Sequence, residues 1–318
     1  ESPRATSRGT PCRMTTTTTT RPPLRGVLSV FQTPYHEDES IDFDTLEIEI
    51  GWLYEQGANG LVMAMVSEVL RLSTDEREHL AEFVCRAGRD RGVVVISVGA
   101  ESGHTAERFA RQAEAVGADA LMAIPPVSIA LDDEELRTYY ERILTAVKIP
   151  VIVQDASGYV GRPMPISLQA RILEDFGDRV LFKPEANPVG PLLSALRDAT
   201  GGRAKVFEGS GGIALVDNYR RGVVGTMPGA DLIDGVIALW NALEAGDEDR
   251  AYQLSLPISS LVALQQSLDA FLAIEKYLLV KRGVFKNAIV RGPVGYRLDE
   301  ETRTEIDRLF DLMMAALD

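Results

Sequence analysis

Residues 93–124, "VVVISVGAESGHTAERFARQAEAVGADALMAI", contain one full period of the pattern that decides the fold. The stretch opens with "VVVISVG" (93–99), mostly β-branched and apolar at successive positions, as a strand covered on both faces must be. "TAERFARQAEAVG" (105–117) follows, with apolar residues three and four apart and a final glycine suited to a helix C-terminus. "ALMAI" (120–124) then begins the next strand. A short strand, an amphipathic helix and a second short strand form a parallel βα unit.

Reading outward, the same unit recurs. The other strand candidates are "RGVLSVF" (25–31), "GLVMAM" (60–65), "PVIVQ" (150–154), "VLFK" (180–183), "AKVFE" (204–208) and "VVGTM" (223–227). Helices such as "FDTLEIEIGWLYEQG" and "STDEREHLAEFVCRAG" separate them, the latter opening on a capping box of Ser73 and Glu76. Eight units in roughly 200 residues predict an α/β fold of the (β/α)8 TIM-barrel type. An open doubly wound sheet is the weaker alternative, because "VFQTPYHEDES" after the first strand has no dinucleotide or phosphate fingerprint. Past the eighth strand the pattern is purely helical, which predicts a C-terminal helical appendage. The expected organisation is a disordered tail over 1–23, a barrel catalytic domain over 24–231 and a helical region over 232–318. The tail is polar, proline-bearing and threonine-rich with no apolar core, so it does not read as a signal peptide, and Met14 is a candidate natural start.

The 318 residues, 45% hydrophobic and 25% charged, match a soluble globular protein. A net charge of −14 argues against nucleic acid and anionic membrane as general partners. No run approaches a transmembrane helix. Cys12 and Cys85 form no disulfide frame, which suits a reducing, cytoplasmic setting. His36, His79 and His104 are scattered, so no metal site is expected, and no cofactor is implied.

In such a barrel the chemistry sits where strands end and βα loops begin. In "VLFKPE" the period of two puts Leu181, Lys183 and Glu185 on one face and Val180, Phe182 and Pro184 on the other. Phe182 suits the helix-packing side, which turns Lys183 toward the barrel axis. Such a lysine either snorkels to solvent or pairs with Glu185, or it serves as an imine-forming amine.

These residues and several segments resemble the dihydrodipicolinate synthase/N-acetylneuraminate lyase superfamily of Schiff-base barrels. The segments are "TPY" with "SID" near the start, "GANGLVMAMVSEVLRLSTDERE", "ALMAIPP" and "VLFKPEA". The resemblance spans nearly the whole chain beyond the tail and implies that Lys183 forms a Schiff base with a 2-oxo acid such as pyruvate. It also implies a homotetramer. The departures are specific. Where the family has Gly-Thr-Thr-Gly-Glu, this chain has Ala64, Met65, Val66, Ser67 and Glu68. Gln154 stands at the place of the family's tyrosine, and Tyr159 at that of its substrate-binding arginine. An amide cannot relay a proton as a phenol does. The "QDAS" segment, with an acidic residue two after the lysine, is similar to a 2-keto-3-deoxy-L-arabonate dehydratase-like branch.

The expected site is therefore Lys183, Glu185 and Gln154 for chemistry, with Val66, Ser67, Tyr159 and Ser128 for substrate binding. Backbone N–H groups at Val66 and Ser67 are the expected carboxylate holders, against an ordinary loop-serine role for Ser67. Arg162 reads as solvated, Glu68 as structural, and "EGSGG" (208–212) as a weak anion cradle. The expected activity is a Schiff-base lyase that dehydrates a 3-deoxy-2-oxo sugar acid. Retro-aldol cleavage and a silent 2-oxo-acid-binding homologue are the rivals.

Overall fold

A computed structural model describes residues 23–158 and 161–318. The tail expected over 1–23 lies outside them except for Pro23.

Eight parallel strands form the sheet: β1 (Gly26–Val30), β2 (Gly60–Met63), β3 (Val93–Ser97), β4 (Ala120–Ala123), β5 (Val151–Asp155), β6 (Val180–Pro184), β7 (Phe207–Glu208) and β8 (Gly225–Thr226). Their order is β6-β5-β4-β3-β2-β1-β8-β7. The two ends of that order meet: Phe182 bridges Val206 in parallel, and its N–H donates to the Lys205 carbonyl at 2.9 Å. The sheet thus closes into a (β/α)8 barrel. β7 and β8 are shorter than their apolar runs, yet the Val224 N–H still reaches the Val206 carbonyl at 2.8 Å.

Between the strands run α1 (Phe43–Glu55), α2 (Thr74–Gly88), α3 (Gly103–Val116), α4 (Asp133–Ala146), α5 (Ile166–Phe176), α6 (Val189–Ala199) and α7 (Leu215–Arg220). Their starts follow the sequence chemistry. Ser73 and Glu76 close the capping box of α2 reciprocally, and the α3 C-cap is Gly117 in the left-handed region. After β8 come α8 (Ile233–Ala245), α9 (Glu248–Val262), α10 (Leu268–Lys281) and α11 (Glu300–Leu317). α8 packs on β1 as well as on α9, so it covers the barrel as its eighth helix. The added helices proper begin with α9.

Alternation along the strands creates two separate cores. Leu28, Val30, Val62, Val93, Val95, Ala120, Met122, Ile152, Leu181 and Phe207 fill the barrel interior. The alternate residues, among them Val27, Leu61, Val94, Leu121, Val153 and Phe182, pack outward against the helices. Each fully buried Val, Leu or Phe contributes about 1.5–3 kcal/mol. Cys85 lies in the outer core, where burial pushes its thiol up to about 12. Among the described residues, no helix is long and apolar enough to cross a membrane.

Candidate active site

Leu181 in the inner core and Phe182 in the outer one fix the orientation of β6. Lys183 is therefore the next inward residue above Leu181. Parallel pairing places Gln154 of β5 directly beside it. Glu185, one pleat further, belongs to the same face.

These three side chains meet. Lys183 Nζ donates to Glu185 Oε1 at 2.7 Å, and Gln154 Nε2 donates to Glu185 Oε2 at 2.6 Å. The Lys183 and Glu185 side chains are only 5% and 6% exposed. Burial raises the Glu185 carboxyl pKa most, helped by the charge of Glu208; Lys183 and the Gln154 hydrogen bond pull it back down. Gln154 Oε1 is buried and has no partner among the described residues. It is an acceptor available to a bound molecule.

Packing does not explain such a trio. Taking two charges out of water costs several kcal/mol per ion, and replacing a buried pair with well-packed apolar residues is often neutral or stabilising. A cavity adjoins the lysine instead. Val30, Ala64, Met65, Val66, Gln154, Lys183, Glu185, Gly209, Met227 and Gly229 line it, and Leu268, Phe271 and Glu275 of α10 form its roof. Gly209 lets the lysine lie flat against the β7 loop: a Cβ there would sit 2.7 Å from Lys183 Cε and 2.9 Å from Nζ. Met65 and Leu268 pack with Ile124 and Ala156, which line a wider cavity of about 500 Å³ containing Val127, Ser128 and Arg162.

The other expected residues separate. Val66 lines the lysine cavity. Ser67 does not turn toward it: its hydroxyl donates to the Phe31 carbonyl at 2.6 Å, and its N–H to the Ala64 carbonyl at 3.0 Å. The bond to Ala64 closes the 3₁₀ turn Met65–Ser67 and the one to Phe31 ties it to the first strand's end, so Ser67 has the local role. Ser128 stands in the wider cavity, with its N–H 3.0 Å from the Glu101 carboxylate and its hydroxyl bonded to the same group. Tyr159 lies outside the described residues. In the "EGSGG" loop, Glu208 accepts from Thr226 Oγ1 at 2.6 Å and from the Ser210 N–H at 2.5 Å. The loop's own carboxylate thus occupies the Ser210 N–H offered to an anion. Glu68 is structural, but chiefly through Lys276, whose ammonium it pairs with in full burial. Lys276 also donates to the Thr33 and Ile289 carbonyls at 2.8 and 2.7 Å.

Glu275 escaped the sequence reading. Its signal was a carboxylate within the apolar run "FLAIEKYLL", three and four residues from apolar neighbours on one helix face. Among the described residues, no group of three or more His, Cys, Asp or Glu side chains could hold a metal ion.

Comparison with known proteins agrees with this fold. The chain is 26% identical over 276 residues to an uncharacterized DapA-like lyase of Pyrococcus abyssi, covering 85% of this chain and 92% of that one. It is 25% identical over 301 residues to an L-2-keto-3-deoxyarabonate dehydratase of Azospirillum brasilense, covering 91% and 94%. Dihydrodipicolinate synthase from Rhodopseudomonas palustris superposes with a TM-score of 0.81 at 26% identity, over 91% of this chain and 97% of that one. The Dihydrodipicolinate synthetase family profile matches residues 23–312, which include every strand of the barrel and the lysine on its sixth. With barrel and profile in agreement over nearly the whole chain, the protein is an enzyme of the dihydrodipicolinate synthetase family.

Proposed function

We propose that this protein is a Schiff-base lyase acting on a 2-oxo acid, and that its reaction is dehydration of a 3-deoxy-2-oxo sugar acid. The observation carrying this reading is the Gln154–Glu185–Lys183 chain buried at the barrel mouth. Glu185 is 2.7 Å from the amine and takes the ammonium proton, so that the free amine attacks the C2 carbonyl. Glu185 returns that proton to the carbinolamine hydroxyl, which leaves as water. The protonated imine then withdraws electrons from C3, and the freed Glu185 carboxylate accepts the C3 proton. Burial raises the Glu185 pKa above that of an ordinary carboxyl, which makes it a stronger base for the proton it takes. Gln154 holds the carboxylate by its amide N–H and offers Oε1 to a substrate hydroxyl. The similarity to a named keto-deoxyarabonate dehydratase supports the substrate class.

A panel of 2-oxo acids with borohydride tests the covalent step. The reduced adduct should add its mass to the peptide containing "VLFKPEA". Lys183→Ala and Lys183→Arg should both abolish trapping and turnover, since a guanidinium stays protonated. An adduct on Lys148 or Lys205, or none across the panel, sinks the reading in favour of a binding protein. Pyruvate plus an aldehyde as products moves it to retro-aldol cleavage.

A further inference from the structure

α10 presents Leu268, Phe271 and Glu275, at spacings of three and four, to the cavity that contains Lys183. Leucine and phenylalanine suit an apolar roof. A carboxyl group does not, yet Glu275 is 1% exposed. The site is shaped around it. Gly229 faces its Oε1, and a methyl group at that position would collide with the carboxyl. Gln32 Nε2 donates to Oε2, the one hydrogen bond to this carboxyl among the described residues. Gln32 is held in turn through its N–H, which donates to Glu49 Oε1 at 2.8 Å.

We infer that Glu275 is a second proton-transfer residue of this site, the acid that protonates the hydroxyl group leaving C4. The inference rests on the Schiff-base reading of Lys183. The groups facing Glu275 favour its acid form. Burial raises its pKa well above the usual carboxylate range, and the charges of Asp231 before α8 and Glu49 on α1 raise it further. The Gln32 hydrogen bond and the Lys276 charge act the other way, and Lys276 is committed to Glu68. Lys183 with Glu185 stands elsewhere on the cavity wall.

The step balances. Glu185 removes the C3 proton, and the C3–H electron pair becomes the C2=C3 bond of an enamine. That pair then forms C3=C4, the C2=N iminium is restored, and the C4–O bond breaks. The oxygen takes the Glu275 proton and leaves as water. Hydrolysis of the iminium frees Lys183 and a 3,4-unsaturated 2-oxo acid. The proton on Glu185 returns through water to Glu275, so the net change is loss of one water. A protonated Glu275 also favours dehydration over retro-aldol cleavage, which instead needs a base at the C4 hydroxyl.

The test is Glu275→Gln in the full chain, compared with wild type for borohydride trapping, C3 proton exchange in heavy water, and dehydration of a 3-deoxy-2-oxo sugar acid across pH. Trapping on Lys183 and C3 exchange should persist at wild-type rates, while dehydration falls by about 10²–10⁴-fold and loses its alkaline limb. Glu275→Asp should recover part of the rate. Wild-type turnover and pH profile in Glu275→Gln overturn the inference, and so does loss of trapping or exchange together with turnover, which makes Glu275 a positioning residue. Failure of the wild-type enzyme itself to trap overturns the Lys183 reading first, and this inference with it.

Discussion

Replacing Gly209 with alanine tests the placement of the lysine without replacing any reactive group. The new Cβ would lie 2.7 Å from Lys183 Cε and 2.9 Å from both Lys183 Nζ and Glu185 Oε1. Carbon atoms in contact prefer about 3.5–4.0 Å, so the lysine tip must retreat by roughly 1 Å. Gly209 does not use the left-handed backbone region, so alanine adds no backbone strain there. The displaced atoms are the end of a flexible chain, which keeps the stability loss at the low end of the ~1–3 kcal/mol typical of overpacking. Activity should suffer far more, because a misplacement of about 1 Å at a reacting centre can cost about 10²-fold. Thermal melting, the rate of borohydride trapping and turnover on the same sample separate the two effects. A folded Gly209→Ala protein that traps and turns over like wild type refutes the claim that this loop sets the lysine's position.

The barrel's buried acids give a pH prediction. Burial pushes the Glu49 carboxyl up to about 8 against the pull of the Gln32 N–H and Lys276, so the folded state binds this proton more tightly than the unfolded chain. Between about pH 4.5 and 8 the native state thus holds more protons, and this group's contribution to stability falls as pH rises, by a few kcal/mol in all. Glu49→Gln should flatten that slope in urea titrations at acid and mildly alkaline pH; an unchanged slope refutes it. Lys276→Met should destabilise by about 3–5 kcal/mol by leaving Glu68 buried with only the Arg71 guanidinium, 3.8 Å away, as a cation. Adding Glu68→Gln should recover most of that loss in the same titrations, and a double variant no better than the single one counts against the pairing.

The barrel was legible because strands covered on both faces need apolar residues at nearly every position. That requirement leaves few other readings of "VVVIS" or "PVIVQ". The facing of Lys183 and Glu185 was legible because strand alternation is rigid: once Phe182 faces the helices, its neighbours on the strand have no choice. Gln154 on β5 was reached only through the family resemblance. Ser67 and Ser128 lie in loops, where a hydroxyl takes whichever acceptor the fold brings near. The Phe31 carbonyl and the Glu101 carboxylate, 36 and 27 residues away, carry no local mark in the sequence. Glu275 failed for a longer-range reason. Helical spacing shows that Leu268, Phe271 and Glu275 share a face, but not that α10 returns over the mouth of the barrel.

Two buried lysines sit near that mouth, and on the proposed Schiff-base chemistry their surroundings predict which one reacts. The Lys276 ammonium has three donors and three acceptors, namely Glu68 and the Thr33 and Ile289 carbonyls, with the Tyr35 ring 4.5 Å from Nζ. Moving its proton or its amine means breaking a saturated site, so Lys276 is fixed as structure. Lys183 has one acceptor among the described residues, a carboxylate whose raised pKa lets it take the proton, and it opens onto a cavity. Once Glu185 has taken one proton, rotation about Cε–Nζ can turn the freed lone pair toward the cavity, where a carbonyl carbon can approach. The borohydride mass must accordingly appear on the "VLFKPEA" peptide and be absent from the one containing "FLAIEKYLL", although both lysines are buried.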